Sequence, residues 1–364
     1  MPSNATSASI TCHDFMEVRM RIRAIHTYEF GALGTQSFDF RDDWSDETAT
    51  RILFSGANGC GKSTLLRGVA MLWSAFGYWL HNRKFLPANS MENQWLQRCG
   101  GIALVLETLP FSNTSTLLLF WGQSGTWVGK LIDQHKDATV IGQINTTSFH
   151  WPQNIAWLNE WTRARQKMLV SPQPSESPNI LFLDAEERRW VTPKHGLGEI
   201  RPENMEQRWL SSYRATENWD GQVESALLTM KIASDERFSK LVDNMNGFLS
   251  GKEILKEVIL GENRLRVKLA NGSTHGIDEL SSGEHQVLIQ LYMVDRWMER
   301  GGIVMIDEPD LYLHPSLISG FLAQLENMVA ERDGQLLITS HVPDVWNRYE
   351  AIGQRVLLGM ESQT

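Results

Sequence analysis

The sequence predicts an α/β fold with a mixed central sheet, antiparallel strands on its N-terminal side and a helical insertion in the middle. Three stretches carry that reading. Residues 51–66, RILFSGANGCGKSTLL, run as an apolar strand, a glycine loop and a helix start. Residues 302–308, GIVMIDE, form a buried strand ending in two carboxylates, and residues 335–341, QLLITSH, form another ending in a histidine.

The glycine loop is GANGCGKS, Gly56 to Ser63. A glycine, four free positions and then Gly-Lys-Ser make the P-loop pattern, in which backbone N–H groups surround nucleotide phosphates. Gly56, Asn58, Gly59, Cys60, Gly61, Lys62, Ser63 and Thr64 are therefore the candidate nucleotide contacts, with Lys62 reaching the β and γ oxygens and Ser63 ligating magnesium. Ile52, Leu53 and Phe54 read as the strand before the loop. Thr64 to Leu80 is an apolar run of helical length, and its N-terminus favours an anion through unpaired amides and dipole.

Composition bounds the rest. At 364 residues the chain is long enough for two lobes around a shared sheet. Cys12, Cys60 and Cys99 have no paired spacing, so neither a disulfide framework nor a zinc site is indicated and a reducing compartment is expected. There is no run of 18 apolar residues, and residues 1–16, expected as a disordered extension, lack the basic start and apolar centre of a signal peptide. A soluble, cytoplasmic protein with no membrane partner is expected. The formal net charge of −9 argues against a surface that tracks a phosphate backbone throughout. It leaves room for local patches: Arg19, Arg21 and Arg23 alternate with Val18, Met20 and Ile22, and Arg163, Arg165 and Lys167 lie close together on a helix. Both sets read as solvated faces, so nucleic acid stays an open partner.

Taken in order, Glu17 to Tyr28 and Gln36 to Phe40 are expected as strands, with Gly31 and Gly34 in the turn between them. Ile102 to Leu106, Thr116 to Trp121 and Thr126 to Ile132 also read as strands, and Asn154 to Leu169 as a helix. The stretch 171–178, SPQPSESP, cannot continue a helix or a central strand and reads as a linker or crossover. Beyond it, NILFLD (Asn179 to Asp184) is a core strand followed by the charged AEERR. Gln222 to Phe248 carries one helical pattern. Glu253 to Leu260 and Arg264 to Leu269 resemble a hairpin around Gly261, Glu262 and Asn263, with Asn271 and Gly272 in the next turn. The organisation predicted is a first lobe with the P-loop over 17–150, an arm or lid over 151–252 and a second lobe over 253–364.

Residues 280–284, LSSGE, open a helix from Glu284 to Met298. Ser281, Ser282 and Gly283 offer hydroxyls, amides and a positive dipole end suited to a γ-phosphate, although an N-cap serine with an acidic first turn would account for them equally well. The sequel decides between the two. GIVMIDE follows, then PDLYLHP (Pro309 to Pro315), then QLLITSH. In this order the P-loop, LSSGE and the two strand ends resemble the motifs of the ABC ATPases, in the form found in the SMC-like branch.

The resemblance covers residues 17–70 and 253–360 and implies roles residue by residue. Ser281, Ser282, Gly283 and Glu284 stand for the signature that meets the nucleotide, and Asp307 for the Walker B aspartate that holds magnesium through water. Glu308 would orient or deprotonate the attacking water, and His341 would be the switch histidine at the γ-phosphate; with Lys62 these are the expected catalytic residues. Asp310 would lie in the D-loop near the partner subunit's active site. ATP and Mg²⁺ are the implied cofactors, and a homodimer or higher oligomer closed by ATP the implied assembly. The glutamine that joins the magnesium shell in this family has no clear counterpart; Gln94, Gln123 and Gln143 are all candidates.

Between Ser63 and Ser281 no heptads are sustained, so a compact head without a coiled coil is expected. Compact heads with this Walker B and D-loop pattern resemble the OLD-like and related AAA ATPases of bacterial antiviral and toxin systems, and also short recombination mediators. With 23 residues after His341 in the sequence, a nuclease domain fused C-terminally is not expected. The leading expectation is an ATP-hydrolysing sensor or switch subunit of an anti-phage module that controls a separate effector, a nuclease or toxin, with a phage protein as trigger. A DNA repair or recombination ATPase, and an ATP-gated scaffold with negligible turnover, are the alternatives. Eleven of the 14 tryptophans fall from Trp73, within the P-loop helix, to Trp219, outside every nucleotide motif. Most of them read as the core of an arm or lid subdomain, and Trp151, Trp157 and Trp161 as the cluster best placed to meet the effector or trigger, the latter two being four apart on one helical face.

Overall fold

The computed structural model describes residues 19–42, 44–112, 114–192, 204–217, 221–233, 236–258 and 264–359. Cys12, Val18, Trp219 and the centre of the expected hairpin, Gly261 to Asn263, lie outside the described residues.

The chain opens with strands β1 (Arg21–Tyr28), β2 (Gln36–Asp39) and β3 (Arg51–Ser55), then helices α1 (Lys62–Asn82) and α2 (Met91–Leu96). Strands β4 (Gly101–Glu107) and β5 (Leu117–Gly122), helix α3 (Gly125–Gln134), strands β6 (Thr139–Ile144) and β7 (Ser148–His150) and helix α4 (Ala156–Val170) follow. The middle supplies β8 (Ile180–Leu183), β9 (Leu210–Ser211), α5 (Val223–Ile232), α6 (Arg237–Asn246), β10 (Lys252–Ile254), β11 (Arg266–Leu269) and β12 (Thr274–Gly276). The last part is α7 (Ser282–Trp297), β13 (Ile303–Ile306), α8 (Pro315–Ala330), β14 (Gln335–Thr339), α9 (Pro343–Ile352) and β15 (Gln354–Leu357).

Two six-stranded sheets organise these elements. One is mixed, in the order β2-β1-β4-β5-β6-β7, and the other runs β15-β3-β14-β13-β8-β9 with every pairing parallel. The parallel strands are near-continuous apolar runs because both faces are covered. Ile52, Phe54, Ile303, Met305 and Leu337 point toward α1 and the mixed sheet, whereas Leu53, Val304, Ile306, Leu336 and Ile338 point toward α5 to α8. The alternation along each strand thus builds two cores from one sheet. Helix α1 is apolar nearly all round, as a helix between two sheets must be. The other face of the mixed sheet is closed by Trp127, Val128 and Leu131 of α3.

Several expectations change. Thr126 to Ile132 is helix, not strand: Ser124 caps it by accepting the amide of Trp127, and its buried residues Trp127, Val128 and Leu131 fall at i, i+1 and i+4, a helical face that outweighs its β-branched residues. Gln222 to Phe248 is two helices, α5 and α6. The hairpin pairs Lys252 to Ile254 with Val267 to Leu269, so its first strand is shorter than expected. Arg21 is buried rather than solvated, and its guanidinium donates to the carbonyl of Asp333 at 2.8 Å. Arg165 lies over the ring of Trp209.

Most of the tryptophans fill the core as expected, and Trp161 joins them instead of offering a surface. Trp161 is fully buried, its indole N–H donating to Ser177 Oγ at 2.9 Å, and Trp151 and Trp157 pack half-buried against the same core. Helix α4 lies where its indoles meet those of α1 and of β9's approach. Trp73 and Trp209 stack at 4.2 Å and exchange indole N–H bonds with each other's carbonyls at 2.8 and 3.0 Å, with Phe76 and Trp161 around them. Large buried aromatic area accounts for the position of Trp73, Trp161 and Trp209 in this cluster. The segment 171–178 is a crossover, fixed by Arg208, which donates to the carbonyls of Met168, Ser171 and Gln173 and pairs with Glu299. It delivers the chain to β8, between β13 and the edge strand β9 of the parallel sheet, so part of the expected arm belongs to the sheet that carries the P-loop strand.

Candidate nucleotide cleft

The glycine loop leaves β3 and turns into α1 through backbone that side chains resist. Gly61 has φ +100°, and a Cβ there would lie 2.7 Å from Leu33 Cγ. A Cβ on Gly56, φ +150°, would lie 2.6 Å from the carbonyl oxygen of Leu358, the residue after β15. The Lys62 ammonium is buried and folds back on the loop, donating to the carbonyls of Gly56 at 3.1 Å and Ala57 at 3.0 Å. Ser63 and Thr64, in the first turn of α1, face a cleft of about 1000 Å³. That volume is at the upper end of what small-molecule sites enclose.

Asp307 and Glu308 follow β13 and line the same cleft. Thr339, at the end of β14, holds both: its hydroxyl donates to Asp307 Oδ1 at 2.6 Å and accepts the Glu308 amide at 2.9 Å. Glu308 has φ +48°, rare for a residue with a side chain. Its Oε1 is 3.2 Å from His341 Nε2, so the expected base and switch histidine are neighbours. Asp310 turns inward: Oδ2 accepts the Ser340 hydroxyl at 3.1 Å, and Oδ1 is buried without a partner among the described residues. Burial pushes its carboxyl above the usual carboxylate range.

The stretch LSSGE is both a helix cap and a cleft wall. Ser281 Oγ accepts the Glu284 amide while Glu284 Oε2 accepts the Ser281 amide at 2.8 Å, a reciprocal capping box at the start of α7. Glu284 Oε2 also takes the Lys252 ammonium at 2.8 Å. Burial alone would raise the Glu284 pKa, but the bonds from Lys252 and Ser281 outweigh it and hold the carboxyl below its ordinary value. Glu284 therefore shapes the signature from inside. Gly283 sits against the carbonyl of Tyr312, 2.5 Å from where a Cβ would be. Leu280 and Ser282 line the cleft with Ser63, Thr64, Asp307 and Glu308, while Ser281, Gly283 and Glu284 do not.

A segment that motif reasoning passed over closes the cleft between these parts. Asp184 at the end of β8 accepts two bonds from Arg67 of α1, one of them 3.0 Å from Nε, and its other oxygen accepts the Glu186 amide at 2.9 Å. Arg188 is 1% exposed and donates to the carbonyls of Leu183, Asp307 and Glu308 and to Gln286 Oε1 of α7. Burial lowers its pKa to about 10, so it stays charged at neutral pH. Trp190 stacks on His285 of α7 at 4.1 Å. The signal in the sequence was the charged run directly after an apolar strand: four charges at the C-terminal end of a parallel strand stand where such sheets place their ligands. None of Gln94, Gln123 and Gln143 lines the cleft. Gln143 is buried between the amide of Leu86 and the carbonyl of Asn145, and Gln123 is bonded to the carbonyls of Gln97 and Cys99.

The donor set suits a hard divalent cation held chiefly by phosphate and water. The Ser63 hydroxyl and the buried Asp307 carboxylate face one space, and among the described residues no cluster of three or more His, Cys, Asp or Glu side chains forms a self-sufficient metal site. No helix of the described residues is long and apolar enough to cross a membrane.

Residues 212–345 match the family model described as "AAA domain, putative AbiEii toxin, Type IV TA system". That span runs from just before α5 to the start of α9 and includes the signature, Asp307, Glu308 and His341. Among curated proteins, Protein ea59 of Escherichia phage lambda is 24% identical over 153 residues, 41% of this chain and 26% of that protein. Among solved structures, the SMC head domain from Thermotoga maritima is 14% identical with a TM-score of 0.38, covering 90% of this chain and 91% of that one. An SmcHead bound to the C-winged helix domain of ScpA is 11% identical with a TM-score of 0.40, covering 88% and 90%.

Proposed function

We propose that this chain, a P-loop ATPase head of the ABC and SMC-like kind, hydrolyses ATP and acts as the sensor or switch subunit of an anti-phage module with a separate effector. The observation that carries the hydrolytic reading is the convergence of Ser63, Asp307 and Glu308 on one cleft, with His341 3.2 Å from Glu308. Magnesium, when bound by Ser63 and, through water, by Asp307, supplies charge neutralisation at the phosphates. The protein's own groups do the rest. Lys62 exchanges its loop carbonyls for β and γ oxygens. The start of α1 offers amides to the phosphates, and Glu308 accepts the proton of the attacking water while His341 steadies its carboxylate and the γ-phosphate. Phosphate release from Mg-ATP tests this: Glu308→Gln is expected to bind ATP normally and turn over roughly 10²- to 10⁴-fold more slowly. Equal turnover would remove Glu308 as the base.

The biological role rests on the family description over residues 212–345 and on a phage-encoded relative, which support a defence or toxin setting over a transport one. In this reading two copies close on ATP, the signature of one capping the nucleotide of the other, and the closed state controls a nuclease or toxin in response to a phage protein. Sedimentation of Glu308→Gln with and without ATP checks the assembly. Turnover stimulated by DNA would instead favour a repair ATPase, and tight ATP binding with background turnover a nucleotide-gated scaffold. Capture of a neighbouring toxin or nuclease from the native host, dependent on ATP, is the result expected.

A further inference from the structure

Glu308 stands in a left-handed conformation that a residue with a side chain keeps only when its surroundings hold it there. On the N–H side the hold is Thr339. On the carbonyl side it is Arg188, whose Nη2 donates to Glu308 O at 2.9 Å and Nη1 to Asp307 O at 3.1 Å. The same guanidinium donates through Nε to Gln286 Oε1, and Gln286 Nε2 returns a bond to the Arg188 carbonyl at 2.7 Å. Gln286 is in the first turns of α7, two residues after the capping box. Arg188 therefore joins three elements, the end of β8, the turn after β13 and the start of the signature helix. Among the described residues none of its hydrogen bonds reaches the P-loop. A planar fork with five donors can do this; an ammonium cannot.

We propose that Arg188 is a positioning residue that holds the Asp307–Glu308 main chain so that Glu308 faces the cleft, and that through Gln286 it makes this posture depend on the seating of α7. A shift of α7, whose first turn lines the cleft, is then felt directly by the base. The proposal rests on Glu308 being the base of ATP hydrolysis.

The test uses the full chain with Arg188→Lys, Gln286→Leu and the double variant, measured for Mg-ATP turnover, affinity for a fluorescent ATP analogue, and backbone amide exchange by mass spectrometry. Each single variant is expected to lose roughly 10- to 100-fold in kcat, the cost of misplacing a reacting group by about an ångström, with ATP affinity retained. The double variant is expected to be no slower than Arg188→Lys, because both changes act on one turn. Exchange is expected to quicken together over 303–313 and 282–290 and to stay unchanged over 51–66. Unchanged kcat, or weakened ATP binding with kcat intact, would overturn the proposal. So would faster exchange confined to residues 184–192. If Glu308→Gln matches the wild type, the base assignment fails, and the exchange pattern still decides whether Arg188 joins the two segments. Should Arg188→Lys not fold, Gln286→Leu leaves the carbonyl bonds in place and is judged by the same measurements.

Discussion

Thr339→Val is the sharpest probe of the Walker B turn, because it keeps the shape of a fully buried side chain and removes one oxygen. That oxygen does two things: it donates to Asp307 Oδ1 at 2.6 Å and accepts the Glu308 amide at 2.9 Å. A hydrogen bond to a charged group is worth roughly 1.5–3 kcal/mol, and leaving a buried amide unpaired costs about 1–3 kcal/mol. The two losses overlap, since the Glu308 turn relaxes toward water, so about 2–5 kcal/mol of destabilisation is expected. Equilibrium denaturation should show a lower midpoint at an unchanged slope, and turnover should fall with it because Glu308 is no longer pinned from its amide side. Thr339→Ser, which restores the oxygen, should recover most of both. A valine variant within about 0.5 kcal/mol of wild type, with full turnover, would refute the claim that this hydroxyl holds the turn.

Lys62→Ala should abolish detectable binding of a fluorescent ATP analogue, since the ammonium both neutralises phosphate and braces the loop through Gly56 and Ala57; unchanged affinity would contradict its role. Ser281→Arg should retain ATP binding and lose turnover, and mixing it with Lys62→Ala should restore part of the activity if the signature acts across a dimer. Trp73→Ala should destabilise the fold by about 3–5 kcal/mol in denaturation, because it empties the centre of the stacked indoles. His26 is buried beside His135, 3.2 Å between Nε2 atoms, and burial lowers its pKa to about 4. Its folded pKa lies below the unfolded value, so the stability it supports is complete above about pH 6.5 and is lost as pH falls from there toward 4. His26→Gln should flatten the stability profile in that window; an unchanged profile would place the acid sensitivity elsewhere.

The parts of the site legible in the sequence are those where chemistry fixes residue type and spacing together. The P-loop is one, since its glycines are forced by positive φ and by the approach of Leu358 and Leu33. Asp307, Glu308 and His341 were legible because each ends a short apolar strand, and parallel sheets collect such ends in one place. Arg188 and Asp184 were not, because their roles depend on which strand β8 lies beside, and the register Ile303 to Ile180 cannot be seen in a run of apolar residues. The burial of Trp161 was not legible for a related reason: its spacing of four from Trp157 gives a common helical face but does not say whether that face meets water or α1. Residues 126–132 were misread because Thr126 and Val128 favour a strand locally, whereas capping by Ser124 and burial of Trp127 against the mixed sheet are tertiary facts.

Strand β3 pairs with β14 on one side, Ile52 opposite Leu337, and with β15 on the other, Ile52 opposite Gln354. The strand that launches the phosphate loop is therefore laid down early in synthesis and waits for its two neighbours until 285 and 302 residues later, counted from those registers. On the ribosome its two edges stay unpaired through most of translation, a condition that invites pairing with other chains. The mixed sheet, whose strands are close in sequence, can form first and shelter α1 meanwhile. Closure of the parallel sheet then becomes the slow, long-range step; a nucleotide that binds only once the sheet has closed would raise the final yield of native protein by mass action and leave the rate of closure unchanged.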